Sequence, residues 1–259
     1  MRVGITGANG FLGQLLTQAL SQTDATLLPF EGDICELAAV RTWVQNSQLD
    51  ALFHLAAKVP ITEVNQNPLQ AYAVNVGGTL NLMQSLEGLP KKPWFFYAST
   101  SHVYKSKDGP LSEDDPIAPI SLYGKTKYMG ESVVYDVAPQ LNIAACVGRI
   151  FSFFHKTQTK PFLYPTLLER VQTEDLSKPF KLYGSECIRD FLNAEAVVQI
   201  MIALMERRAT GIINIGSGVG VRIRDFVQQV AGRPLFIEPA DAKHDALVAN
   251  IHRLNTILS

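Results

Sequence analysis

An α/β fold with a doubly wound parallel sheet and a small C-terminal lobe is what this sequence predicts, on three observations. Short apolar runs alternate with amphipathic helical stretches through the first 150 residues. A glycine-rich turn, Thr6-Gly7-Ala8-Asn9-Gly10-Phe11-Leu12-Gly13, joins the first run to the first helix. Beyond Ile150 the rhythm loosens into aromatic and proline-rich segments such as Lys160-Pro161-Phe162-Leu163-Tyr164-Pro165. Strands alternating with helices build a parallel sheet covered on both faces, because each crossover lays a helix across it.

Val3 to Thr6 reads as a short buried strand, and Phe11 to Leu20 as a helix with apolar residues at 11, 12, 15, 16, 19 and 20. Ala25 to Phe30 is a second apolar run, Leu37 to Gln45 a helical pattern, and Ala51 to Leu55 a third strand. Pro68 to Leu86 is helical, Trp94 to Ala98 a fourth strand, Leu122 to Val137 a helix, and Ile143 to Ile150 a fifth strand. Residues 1–150 therefore form a Rossmann-type unit and residues 151–259 a smaller lobe. The two interleave, since Ala194 to Arg207 is a helix, Gly211 to Ile215 a strand, and the stretch 189–216 is expected to complete the sheet.

The chain has 23 Lys plus Arg against 24 Asp plus Glu, a net charge of -1, so no basic face is offered to nucleic acid or an anionic membrane. Any phosphate must be held locally. Cys35, Cys146 and Cys187 lie far apart without metal-ligand spacing and are expected to be buried free thiols. His102, His155, His244 and His252 are scattered, without the i, i+4 pairing or carboxylate companions of a metal site, and read as surface or loop side chains. No apolar stretch reaches the roughly 18 residues of a membrane span and no signal-like segment opens the chain, so a cytoplasmic protein is expected.

Gly7, Gly10 and Gly13 follow a strand and open a helix. Gly7 suits a tight turn, Gly10 lets backbone N–H groups approach a pyrophosphate, Gly13 permits close packing, and the helix N-terminus favours negative charge. Asn9, Phe11 and Leu12 complete this dinucleotide-binding turn. The second apolar run ends at Phe30-Glu31, where a carboxylate can accept hydrogen bonds from the adenosine ribose of NAD and repel the extra phosphate of NADP. Asp33 and Ile34 are then expected near the adenine. On Glu31 alone, NAD is favoured over NADP.

Further segments follow in order: His54-Leu55-Ala56-Ala57, Asn75-Val76-Gly77-Gly78-Thr79-Leu80-Asn81-Leu82, Tyr97-Ala98-Ser99-Thr100-Ser101-His102-Val103-Tyr104, and Tyr123-Gly124-Lys125-Thr126-Lys127. With them the chain resembles the extended short-chain dehydrogenase/reductase family, and more narrowly its nucleotide-sugar epimerases, dehydratases and 4-keto-reductases, from residue 2 to about 220. Arg189-Asp190-Phe191-Leu192 and Asn214-Ile215-Gly216-Ser217-Gly218 belong to that resemblance. It implies NAD or NADP as cofactor, a nucleotide sugar as substrate, and a homodimer paired through the helices from Pro68 and Leu122.

By the same resemblance Thr100 takes the family's catalytic Ser/Thr place, Tyr123 the acid/base and Lys127 its helper. The spacing suits the chemistry: on a helix, Tyr123 and Lys127 share one face about 5–6 Å apart at Cβ. An ammonium and a positive nicotinamide ring favour the phenolate of a side chain whose free pKa is about 10. Lys127 is also expected on the nicotinamide ribose, and Ala56, Ala57 and Asn75 at spacing and loop-fixing positions near the cofactor. Ser101, Ser152, Arg189 and Arg222 are the expected substrate contacts.

The family's Arg-x-x-Asn reads Arg149-Ile150-Phe151-Ser152 here, which weakens one substrate contact, and Tyr104-Lys105 replaces its frequent Tyr-Gly. Dehydratases of the family carry acidic residues after the catalytic Thr, where this chain has Ser101-His102. That disfavours dehydration and leaves 4-epimerisation and 4-keto reduction both open. A different class of reading is a cofactor-binding regulatory or scaffold subunit without turnover, since function resides in the site rather than the fold.

Overall fold

The computed structural model describes residues 1–259. Its chain begins β1 (Arg2–Thr6), α1 (Phe11–Leu20), β2 (Thr26–Pro29), α2 (Leu37–Ser47), β3 (Ala51–His54), α3 (Ile61–Gln66), α4 (Pro68–Tyr72), α5 (Gly78–Leu86) and β4 (Trp94–Thr100). It continues through α6 (Leu122–Val137), β5 (Ala145–Ile150), β6 (Ser152–Phe154), α7 (Leu163–Thr173), β7 (Phe180–Leu182), β8 (Ile188–Asn193), α8 (Ala194–Glu206) and β9 (Gly211–Ile215). β10 (Gly220–Arg222), α9 (Ile223–Ala231), β11 (Ile237–Pro239), β12 (Ala246–Leu247) and α10 (His252–Leu258) finish it.

Six parallel strands form the central sheet in the order β2-β1-β3-β4-β5-β9. Every residue of β3 is buried and β4 is rich in aromatic side chains, as strands covered on both faces require. One face packs against α1 and α8 through Leu16, Leu20, Val197, Met201 and Leu204. The other packs against α2, α5 and α6 through Val40, Val44, Leu82, Leu86 and Val134. Helices on both faces of a parallel sheet make the doubly wound Rossmann-type architecture that the alternation predicts.

After β2 the chain returns across β1 to build β3, so the order reverses between β1 and β3. The crevice beyond their carboxyl ends is where open α/β sheets bind ligands. A second, smaller sheet joins β10, β8 and β12, with β6 on β8, and sits beside α7 and α9 around Leu167, Phe180, Phe226 and Val227. Of the stretch 189–216, β9 enters the central sheet, whereas β8 belongs to the second sheet because it pairs with β6, β10 and β12. The helical stretch from Pro68 is also not uniform. Between α4 and α5 lies one π-helical turn, Ala73–Gly77.

All three cysteines are free; Cys146 and Cys187 are buried, while Cys35, on the loop before α2, is half-buried. No helix is long and apolar enough to cross a membrane.

Candidate active site

A cleft of about 480 Å³ runs along the carboxyl ends of β1, β3, β4 and β5. At one end stand Gly7, Gly10, Phe11, Leu12 and Gly13. Gly7 has φ +72, and a Cβ there would lie 2.6 Å from the Ala56 nitrogen. A Cβ on Gly13 would run into the Gly7 carbonyl oxygen. The spacing of these glycines is therefore steric. No side chain caps α1, so its first-turn N–H groups open into the cleft at the positive end of the helix dipole. This cradle fits a pyrophosphate and hence a dinucleotide.

At the middle of the cleft Thr100 ends β4, and Tyr123 and Lys127 project from the first turns of α6, whose N-cap Ser121 accepts a hydrogen bond from the Gly124 N–H at 3.0 Å. Burial pushes the Tyr123 phenol up to about 12, against the pull of the Thr100 hydroxyl, which favours the phenolate. Burial likewise lowers Lys127 to about 7, opposed by the charge of Glu131. The Lys127 ammonium lies 4.1 Å from the centre of the Tyr97 ring.

Asn75, in the π-helical turn, is buried and works as a clamp. Its amide accepts from the Lys58 N–H (2.7 Å) and donates to the Lys58 carbonyl (3.0 Å) and to Thr126 Oγ1 (2.9 Å). It ties the loop after β3, including Ala56 and Ala57, to α6, as a loop-fixing residue should. Ala57 lines the cleft; Ala56 backs Gly7 instead. π-helical turns recur at functional sites because they re-aim a side chain within a helix.

Ser101 and Ser152 also line the cleft, with His102, Phe153, Gln158, Tyr164 and Phe191. Several other sequence-predicted residues do not line this cleft. Arg189 is ion-paired with Asp245 at 2.6 Å and does not line the cleft. Arg222 is exposed beside Glu186, and Asn9 is exposed with its carbonyl accepting from Gln14. Glu31 stands exposed at the end of β2, and Asp33 is used to accept from the Cys35 N–H at 2.9 Å. Ile34 is a core residue, packed with the α2 and α5 side chains, and its carbonyl accepts from Asn81 at 3.0 Å.

Residues 3–216 match the sequence profile described as the NAD dependent epimerase/dehydratase family. The chain belongs to that family. A UDP-glucose 4-epimerase of Rhizobium leguminosarum bv. trifolii is 25% identical over 88% of this chain and 77% of its own length. UDP-arabinose 4-epimerase 1 of Arabidopsis thaliana is 25% identical over 76% of this chain, which spans about half (52%) of that protein. Among solved structures, RMD of Pseudomonas aeruginosa complexed with NADPH superposes at TM-score 0.87, with 24% identity, over 99% of this chain and 92% of that one. UDP-glucuronic acid 4-epimerase of Bacillus cereus in complex with NAD does so at TM-score 0.83, with 22% identity, over 100% and 90%.

Some residues of this epimerase/dehydratase-family site escape sequence reasoning. His102 is not a surface histidine: it lines the cleft with its ring 6.1 Å from that of Tyr123. His155, too, is buried, bridging Thr157 and Glu195 and packing on Phe11. From the cleft wall Ser99 donates to Glu131, which holds Arg149 with three contacts of 2.7–3.2 Å. The i, i+4, i+8 spacing of Tyr123, Lys127 and Glu131 was the available signal, since it sets all three on one helix face. Asp190 is wholly buried and accepts from Ser217, Gly218 and Ala249, which explains the pairing of the Arg-Asp-Phe and Asn-Ile-Gly-Ser-Gly segments.

Proposed function

We infer that this protein is a nicotinamide-dinucleotide-dependent epimerase acting at a sugar carbon of a nucleotide-activated sugar, with Tyr123 as acid/base. The observation that carries the reading is the convergence of Thr100, Tyr123 and Lys127 in the cleft that begins at the Gly7-Gly10-Gly13 cradle. The 4-epimerases among its relatives support the substrate class.

When bound, an oxidised nicotinamide ring supplies the hydride acceptor and a positive charge that favours the phenolate. Tyr123 takes the proton from the sugar hydroxyl and returns it when the opposite face is reduced, while the Thr100 hydroxyl holds the same oxygen. Lys127, kept near the cofactor end by its seat over Tyr97, adds positive charge and reaches the nicotinamide ribose. Glu31 favours NAD over NADP. The second lobe, 151–259, receives the nucleotide sugar, and a homodimer forms through α4, α5 and α6. This trio in one cleft favours an enzyme over a cofactor-sensing subunit.

The test is to denature the purified protein gently, identify released dinucleotide by mass spectrometry, and assay UDP-sugars without added reductant. Released NAD and epimer formation are expected. Dependence on added NAD(P)H would make the protein a keto-reductase, and no dinucleotide binding with no turnover would refute the enzyme reading.

A further inference from the structure

Lys127 is the only charged residue among the 28 that line the cleft. Its ammonium is already engaged over Tyr97, next to Glu131. Arg189, the nearest candidate for a second cation, is committed to Asp245. Ser101, His102, Ser152 and Gln158, which line the same cleft, are instead neutral.

Two of these have hydrogen-bonding capacity that the protein leaves unused. Gln158 is 6% exposed, and its Oε1 is buried without a partner. A buried amide oxygen left so is costly unless a ligand donates to it. His102 spends only its backbone N–H inside the protein, on Thr100 Oγ1 at 3.3 Å, and its imidazole turns toward the cleft beside Tyr123. Gly124 fixes that position, because a Cβ there would collide with the His102 carbonyl oxygen. Burial, with the Arg189 charge, lowers the imidazole to about 4, so it is neutral at ordinary pH and offers one donor and one acceptor. So weak a base is poorly matched to pulling a proton from carbon near neutral pH.

We propose that His102 and Gln158 read the hydroxyls of the sugar ring, and that the site selects an uncharged sugar over a uronic acid. The inference rests on the nucleotide-sugar reading above. A uronate would bring a carboxylate into a cleft whose one cationic side chain, Lys127, is already engaged over Tyr97, and a buried charge without a partner is strongly disfavoured. A neutral hexose or pentose brings hydroxyls, which both donate to Gln158 Oε1 and pair with either imidazole nitrogen.

Paired substrates test this on the NAD-loaded full chain: UDP-glucose against UDP-glucuronate, and UDP-galactose against UDP-galacturonate. The neutral member is expected to have a kcat/KM at least about 100-fold higher, as an unpaired buried carboxylate implies. His102→Phe and Gln158→Leu should each raise KM for the neutral sugar about tenfold, the worth of a lost hydrogen bond, with kcat and NAD affinity within about threefold. His102→Asn, which keeps a donor and an acceptor, should recover most of the loss, a rescue that a purely structural role would not give. Equal or better use of the uronate, or unchanged KM in both variants, overturns the proposal while leaving the epimerase reading intact. Absence of turnover on all four sugars overturns both.

Discussion

Glu131 and Arg149 form a fork-to-fork ion pair, both side chains 3% exposed, one helical turn beyond Lys127. Burial works against the Arg149 charge, yet hydrogen bonds and attraction from Glu131 hold it above its ordinary value. Arg149 also lies over the Tyr104 ring at 4.7 Å, and Tyr104 donates to Asn214 at 2.6 Å, so the pair anchors a buried polar network between β5, α6 and β9. Removing one partner strands a buried charge, so Glu131→Gln should cost about 3–5 kcal/mol. Thermal unfolding of Glu131→Gln beside a Glu131→Leu/Arg149→Leu double variant checks this; the double variant should be the less damaged.

The same carboxylate faces Lys127, where it opposes the lowering by burial. Taking it away must lower Lys127 further, so protonated Lys127 is lost at a lower pH. The alkaline limb of the activity profile in Glu131→Gln should therefore move toward acid. A limb that stays in place would detach Lys127 from that limb.

Tyr123→Phe removes the proposed proton carrier while keeping the ring packed edge-on to His102 at 6.1 Å between centroids. Turnover should fall by about 10²–10⁴-fold, the usual worth of a positioned acid/base, with dinucleotide binding unchanged. Single-turnover kinetics beside a cofactor titration separate the two effects.

The local part of this fold is legible in the sequence. Strand and helix periods in the first 150 residues place β1, α1, β3, β4 and α6 within a residue or two, because buried runs and amphipathic faces are local properties. What depends on distant pairing is not. The assignment of β8 to the second sheet follows from partners near residues 152, 220 and 246. In the same way Arg189 looks free until Asp245, 56 positions on, is folded against it. His102 looks like a loop histidine until α6 brings Tyr123 beside it. The glycine turn could be read because its strand, turn and helix are contiguous.

Asn75 makes its three hydrogen bonds across 17 and 51 residues of sequence. In Asn75→Ala the Lys58 N–H loses its acceptor and the loop over the cofactor end is released. At about 1 kcal/mol for each lost bond, the variant should unfold several degrees lower and bind the dinucleotide about tenfold more weakly. Fluorescence titration with NADH reads the second effect.

Leu69 (85% exposed), Met129 and Tyr135 stand in solvent on α4 and α6, helices that contact each other. A homodimer through this face would cover them. Sedimentation velocity should show a dimer that Leu69→Glu with Tyr135→Glu converts to a monomer, while Leu163→Glu, outside the face, leaves it intact. A monomeric wild-type protein at micromolar concentration would end the proposal.

His54 closes the polar spine under the cleft: its ring nitrogens meet Thr6 Oγ1 at 2.7 Å and Thr79 Oγ1 at 3.0 Å, and Thr79 donates to the Asn75 carbonyl at 2.8 Å. Burial, with the Lys127 charge, lowers it to about 3. The unfolded chain binds this proton from about pH 6.5 downward and the folded chain does not. Stability is therefore highest above pH 6.5 and falls as the solution is acidified toward pH 3, by about 1.4 kcal/mol per pH unit for this one side chain. His102, lowered to about 4, adds to the slope down to that pH. Urea midpoints between pH 7 and 4.5 should show the decline, and His54→Asn should flatten it even though it weakens the protein at pH 7. An equally steep decline in the variant would place the acid sensitivity elsewhere.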